Sequence, residues 1–320
     1  MKLAIFLAIL LAGCLSLIAA AGCSKAGLRA DGDAGTGAGD VARNNDGTVI
    51  EAAAPSADAN SPGSGVDSGA ATSCGSVASA GVYVLDDQGT LLRFDPGTVS
   101  FTRLGALNCP NVNAGEYNSM AVDRNGFAWI NAFSGGKSQL FKLDIRTVAC
   151  TATAFDGGEL QTFGMGFSSN QPGSPDETLF IDSQVHGTDG NKFGSIGFPS
   201  LGFTNLGRTD GSLEFTGTGD AQLWGFHPDQ PAVIGQIDKT SGVFIKTYSA
   251  PPITARGGQV AFAFAFWADM FWIFLKDGNV PSSSVYSVAR STGELTRALA
   301  DAQLVIVGAG VSTCAPFIIP

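Results

Sequence analysis

Five times between residues 91 and 298 the chain sets down an apolar strand, a polar turn and a second strand. The segments are LLRFDPGTVSFTRL (91–104), LFKLDIRTVACTAT (140–153), FGSIGFPSLGFTNL (193–206), VIGQIDKTSGVFIK (233–246) and VYSVARSTGELTRA (285–298). Asp95, Asp144, Phe198, Asp238 and Ala289 hold the same turn position, at intervals of 40 to 54 residues. Ahead of each segment lies another strand: VYVLD, FAWIN, TLFID, AQLWGF and FWIFL. Four of the five are preceded by one more: SMAVD, FGMGF, LEFTG and QVAFAFAF. Four strands in each repeat of this length is the signature of propeller blades. The first repeat lacks its leading strand, and the chain ends with a spare apolar run at 304–307. That run is expected to close the ring by completing the first blade, which removes two exposed sheet edges. The sequence therefore predicts an all-β fold, a five-bladed β-propeller over residues 74–320. No segment has the caps and amphipathic period of a full-length helix, and a β-sandwich predicts no regular repeat.

The composition agrees. Of 320 residues 43 are glycine and only 14% are charged, which suits short strands joined by tight turns. A formal net charge of −10 argues against nucleic acid, whose phosphates need a basic surface.

Before the repeats the chain has two other regions. Residues 1–23 read as a targeting segment, with Lys2 followed by an apolar run over 3–21. Ala20-Ala21-Gly22-Cys23 resembles the lipobox of bacterial lipoproteins, in which the cysteine becomes the lipidated first residue. Leu11-Ala12-Gly13-Cys14 fits that consensus more closely. Cleavage there leaves the apolar LSLIAAAG at the new N-terminus, so Cys23 is preferred. Ser24 follows it, in place of the Asp that signals inner-membrane retention in some Gram-negative bacteria. The expected address is therefore the outer membrane of a bacterial envelope, with the membrane engaged through the N-terminal lipid. Residues 24–73 hold Gly, Ala, Ser, Asp and Pro with almost no large apolar side chains. They are expected to be a disordered linker, because they bury too little surface to offset the entropy of ordering. Asp31-Gly32-Asp33 has the look of a calcium loop but lacks the later ligands.

Within the second repeat, 118–147, the residues Ala121-Val122-Asp123, Gly126, Trp129, Leu143-Asp144 and Thr147 resemble a blade motif of the NHL, virginiamycin B lyase and YncE-like propellers. The resemblance implies the same fold. A virginiamycin-type lyase would also need a catalytic His with metal-binding partners, and the two histidines here, His186 and His227, match no such set. Both fall in expected turns and are read as solvated.

With the leader set aside, Cys74, Cys109, Cys150 and Cys314 remain. An even number in an exported chain implies disulfides. Ring closure brings Cys74, ahead of the first strand, near Cys314, beyond the last. Cys109 follows the outer strand of the first blade and Cys150 begins that of the second. The expected pairs are Cys74–Cys314 and Cys109–Cys150. The spacings are far from those of zinc sites.

Chemistry is harder to find. Ser134-Gly135-Gly136-Lys137 has an S-x-x-K spacing without its partner motifs. Gly308-Ala309-Gly310 has no room for the helix that a dinucleotide loop needs. The aromatic run 262–274 alternates with alanines, as packed inner strands require. One constellation stays in view. Each innermost strand begins near one mouth of the central channel, and the entries carry Glu116, Glu159 with Gln161, Glu214, Gln259 near Arg256, and Asp301. Carboxylates converging there would hold a polyhydroxylated ligand or a cation, calcium being the candidate ion, whereas the simpler reading, which is preferred, is that the inter-blade loops of an acidic protein are themselves acidic; no other cofactor is expected. The candidate ligand-binding residues are Glu116, Glu159, Glu214, Arg256 and Asp301, with no catalytic residue assigned. The first reading is a monomeric, lipid-anchored, non-enzymatic module that binds an envelope protein or glycan. The alternative is an envelope hydrolase or lyase acting on a sugar through channel carboxylates.

Overall fold

A computed structural model describes residues 74, 76, 80–185, 191–229, 231–249, 253, 255, 257, 258 and 260–317. The expected targeting segment, its Cys23 and the linker lie outside the described residues.

The described residues form strands and turns and no helix. Three strands open the chain: β1 (Val82–Asp86), β2 (Thr90–Asp95) and β3 (Ser100–Ala106). The next four are β4 (Tyr117–Val122), β5 (Phe127–Ser134), β6 (Lys137–Asp144) and β7 (Ala149–Ala152). Then come β8 (Leu160–Ser169), β9 (Glu177–Val185), β10 (Lys192–Ile196) and β11 (Phe203–Gly207). The fourth group is β12 (Glu214–Gly217), β13 (Leu223–His227), β14 (Val233–Ile237) and β15 (Phe244–Ser249). The last is β16 (Ala261–Trp267), β17 (Met270–Lys276), β18 (Ser284–Ala289) and β19 (Leu295–Leu299), followed by β20 (Ile306–Gly310). Five four-stranded antiparallel sheets result, each a blade of a five-bladed β-propeller. The first blade has the order β20-β1-β2-β3, so the C-terminal strand closes the ring. It pairs Tyr83 with Gly310 and Leu85 with Gly308, starting two residues later than the expected run.

Turn chemistry fixes the hairpins. Asp95, Asp144 and Asp238 each accept a backbone N–H two residues ahead, the Asx turn that their side chains favour. Ser134 faces Lys137 across a two-residue turn whose Gly135 and Gly136 both have positive φ. This is the tight hairpin turn that glycine permits, and it accounts for the S-x-x-K spacing. In the second blade Asp123 caps the β4–β5 turn through Asn125 and Phe127 and accepts from Trp129 Nε1 at 3.0 Å. The Asp and Trp of the blade motif are thus one hydrogen-bonded unit.

The apolar core lies between neighbouring blades. Phe94, Trp224, Phe264, Phe271 and Phe274 share one cluster that joins the first, fourth and fifth blades. Three smaller clusters fill the remaining seams. Burial follows strand position: β1, β12 and β13 are buried throughout, whereas the outer β3 and β15 are largely exposed. The aromatic run is core, with Phe264, Phe266, Phe271 and Phe274 fully buried.

The inner strands approach one another too closely for ordinary side chains. A Cβ on Gly164 of β8 would stand 1.9 Å from the Leu213 carbonyl oxygen, and one on Gly217 of β12 would stand 1.9 Å from that of Phe167. Gly308 and Gly310 of β20 abut Met120 and Val122 of β4 in the same manner. The Gly-Ala-Gly tripeptide is therefore a packing device, because only glycine lets backbones meet at this distance.

Two cysteine pairs stand at bonding distance, Cys74 with Cys314 (2.01 Å) and Cys109 with Cys150 (1.92 Å). The first ties the chain ahead of β1 to the residue beyond β20. The second links the outer edges of the first two blades.

Candidate functional site

At the mouth where the inner strands begin, the channel widens into a cavity of about 440 Å³. Tyr117 of β4, Phe163 of β8, Glu214 of β12, Phe262 of β16 and Val307 of β20 all line it. Asp87, Asn118, Thr162, Asp182, Ser212 and Lys276 add polar groups.

Glu214 is 4% exposed, and its Oε2 accepts a 2.7 Å hydrogen bond from Ser119 Oγ, which is fully buried. Ser119 sits on β4 of the second blade and Glu214 on β12 of the fourth. The inner strand β8 packs against both β4 and β12, so the two side chains meet inside the channel, where Glu214 lines the cavity as its floor and the buried Ser119 supports it. Burial pushes the Glu214 carboxyl well above the usual carboxylate range, and the nearby Asp182 raises it further. Protonated, it is neutral and able to donate as well as accept.

Asp182 is held by three donors. Leu213 N reaches Oδ2 at 2.7 Å, Asn191 Nδ2 reaches Oδ2 at 3.1 Å, and the Thr209 hydroxyl bonds Oδ1. These contacts fold the 209–213 loop over the end of β9. Burial nevertheless raises the Asp182 carboxyl to about 7, against those hydrogen bonds.

Of the residues expected at this mouth, Glu214 alone among the described ones lines the cavity. Glu116 accepts from the backbone N–H of Asn113 at 2.6 Å, and that bond holds its carboxyl below the usual range. Glu159 is exposed and paired with Lys192. Asp301 is exposed and bonded to the Ser282 hydroxyl, which lowers its pKa, and to Gln303 N at 2.7 Å. The expected convergence of acids thus fails for these three, because each side chain is engaged away from the cavity, Glu116 by Asn113, Glu159 by Lys192 and Asp301 by Ser282 and Gln303. Arg256 and Gln259 lie outside the described residues. Among those described, no group of three or more His, Cys, Asp and Glu is placed to hold a metal ion, and calcium finds no such cluster here.

The second charged assembly is at the opposite end of the channel. Arg124 follows β4, Thr313 follows β20, and Glu177 opens β9. Glu177 accepts from Arg124 N and from Thr313 Oγ1, both at 2.8 Å. Arg124 Nη1 reaches Thr313 Oγ1 at 3.0 Å, and Nη2 lies 3.5 Å from Cys74 Sγ. Burial raises Glu177 to about 7. This end is therefore braced around the Cys74–Cys314 disulfide.

His227 corrects an expectation. It ends β13 and is 9% exposed rather than solvated, with Nδ1 3.6 Å from Asp229. Burial lowers its pKa, which keeps the ring neutral at pH 7. His186 lies outside the described residues.

No family model matches the chain, and no curated protein matches it. Among solved structures it is similar to TolB from Acinetobacter baumannii, at 12% identity and a TM-score of 0.43. That match covers 69% of this chain and 53% of TolB, so the chain spans about half the length of TolB. It is also similar to a protein of unknown function from Bacteroides caccae, at 11% identity and a TM-score of 0.42, over 71% of this chain and 84% of that one. Neither likeness lends this chain a ligand or an activity.

Proposed function

We propose that the chain is an exported, lipid-anchored bacterial envelope protein whose propeller is a non-enzymatic binding module, seating a small ligand at the open mouth of its channel. The observation that carries this reading is the cavity of about 440 Å³ lined by Glu214, which Ser119 holds by a buried hydrogen bond. Its size lies in the range of small-molecule sites, and a few placed polar groups against apolar walls are what such sites use for orientation. The leader pattern ending at Cys23 and the Gly/Ala-rich 24–73 stretch support export and anchoring, as do the two cysteine pairs.

A hydrolase reading draws on the same carboxyls, since an acid held protonated near neutral pH is what a general acid requires. Against it, Asp182 is fully engaged by Thr209, Asn191 and Leu213, and Glu214 is a strut of the channel floor. Binding is the better use of this geometry.

The test is a thermal-shift screen of the mature chain against a broad metabolite and glycan library, run beside Val260→Arg. Val260 lines the cavity and is 36% exposed, so arginine there fills the opening without disturbing the core. Ligands should raise the melting temperature of the wild type by mass action and lose that effect in the variant. A hit consumed during incubation, with products accumulating, would replace binding with catalysis.

A further inference from the structure

The lining of the cavity is divided in a way that selects a ligand class. One wall is apolar: Val260, the half-buried Phe262, Val305 and Val307. The second, third and fourth blades contribute short polar residues to the lining, Asn118 of β4, Thr162 of β8 and Ser212 ahead of β12, beside Glu214. Asn118 is already oriented, because its Nδ2 donates to the Phe163 carbonyl at 3.0 Å. That leaves its amide oxygen to accept from a ligand. Ser212 is steadied by Asn191 at 3.3 Å. The charged groups among the described lining, apart from the two buried carboxyls, are Asp87 and Lys276, one of each sign. Apart from those two carboxyls, the described lining therefore has no formal charge excess with which to hold an ion.

We infer that the cavity takes a neutral, hydroxyl-rich ring of about monosaccharide size, with its apolar face on Phe262 and Val260 and its hydroxyls on Asn118, Thr162 and Glu214. The inference rests on the binding reading above and narrows it to one chemistry. A pyranose has both faces this lining asks for, an edge of donors and acceptors and a flank of C–H groups. An aromatic ring offers that flank a broad apolar surface. Neutral hydroxyls also suit a floor whose carboxyl is buried and bonded to the neutral Ser119 hydroxyl, since they hydrogen-bond to it without requiring its ionisation. A carboxylate or phosphate ligand meets Asp87 and a buried acid instead. Buried polar groups matched to a ligand's hydroxyls discriminate strongly against analogues that lack them.

The test titrates the full mature chain by calorimetry with glucose, galactose, mannose, N-acetylglucosamine and maltose. Parallel arms use calcium chloride, inorganic phosphate and spermidine. At least one neutral sugar should bind, and Val260→Arg and Thr162→Val should each weaken that binding at least tenfold. Far-UV circular dichroism of both variants and the ligand-free melting temperature of Val260→Arg should match the wild type, which separates a blocked site from a damaged fold. Sugar binding that persists unchanged in Val260→Arg overturns the assignment to this cavity. Binding of a charged probe in place of every sugar, lost in Val260→Arg, overturns the ligand class while the binding reading stands. If no probe binds and the broad library is also silent, both fail.

Discussion

Ser119 and Glu214, 95 residues apart in the chain and on non-adjacent blades, share a fully buried 2.7 Å hydrogen bond inside the channel. Most contacts of the ring join a blade to its neighbour, whereas this bond reaches past one. Glu214→Gln should keep the bond and the fold. Ser119→Ala leaves a buried acceptor short of a donor and should cost about 1–3 kcal/mol, read by urea denaturation at pH 5. A change within error would show that Glu214 finds another partner and that the floor is not braced here.

Stability should fall as pH rises. Burial raises Glu177 and Asp182 to about 7 and pushes Glu214 well above the usual carboxylate range, against unfolded values near 4. Between those limits the unfolded chain has released protons that the folded chain keeps, so the folded state is favoured less with each step upward. The contribution is complete below about pH 4 and lost as pH rises through about 7, at up to about 1.4 kcal/mol per pH unit for each group. The acids with lowered pKa values, Glu116, Asp144, Asp238 and Asp301, work in the opposite sense but are solvent-exposed and offset little. The melting temperature should be higher at pH 5 than at pH 8, and Glu177→Gln should flatten the difference. A melting temperature that climbs from pH 5 to 8 would contradict this.

Glycine positions should divide sharply under substitution. Gly164→Ala drives a methyl group into the Leu213 carbonyl and should cost more than about 3 kcal/mol or prevent folding. Gly135→Ala meets nothing within 4 Å and should cost about 1 kcal/mol, from its positive φ alone. Comparable midpoints in chemical denaturation would mean that the inner strands are looser than described.

The two disulfides should contribute unequally. The loop-entropy model gives about 5.5 kcal/mol for Cys74–Cys314 and about 4 kcal/mol for Cys109–Cys150, from sequence separations of 240 and 41. Paired serine substitutions measured separately should show that order. Non-reducing peptide mapping should recover both links, and a Cys74–Cys109 peptide would count against closure by β20.

Lipid attachment has a direct assay. Radiolabelled palmitate should enter the wild-type protein in a bacterial host and not Cys23→Ser. Loss in Cys14→Ser alone moves the cleavage site, and incorporation unaffected by either change removes the anchor.

The fold was legible because its signal is redundant. Five copies of strand, turn and strand, with Asp95, Asp144 and Asp238 at one position, survive errors of a residue or two. The site was not, because a strand has a period of two and one residue of slip sends a side chain elsewhere. Glu116 immediately precedes Tyr117, yet Tyr117 lines the cavity and Glu116 turns back to Asn113. Glu214 is legible because it begins its strand. Asp182 is not legible as a site residue, because it closes the apolar run TLFID on a second strand, where it reads as a turn residue. Its signal was a lone acid at the end of an otherwise buried strand. Ser119 was hidden in the same way, as a small polar residue in SMAVD. Polar residues inside inner strands mark this channel better than acids at their entries.

The Cys74–Cys314 link also sets the path of mechanical load. A pull on the chain ahead of Cys74 does not first peel β1 from the ring. It passes through the sulfur bridge to the end of β20, which is held on one side by its ladder with β1 and on the other by glycine contacts with β4. Tension is shared between two blades at the seam where the ring was joined. Reduction of that one bond moves the whole load to the edge of a single hairpin.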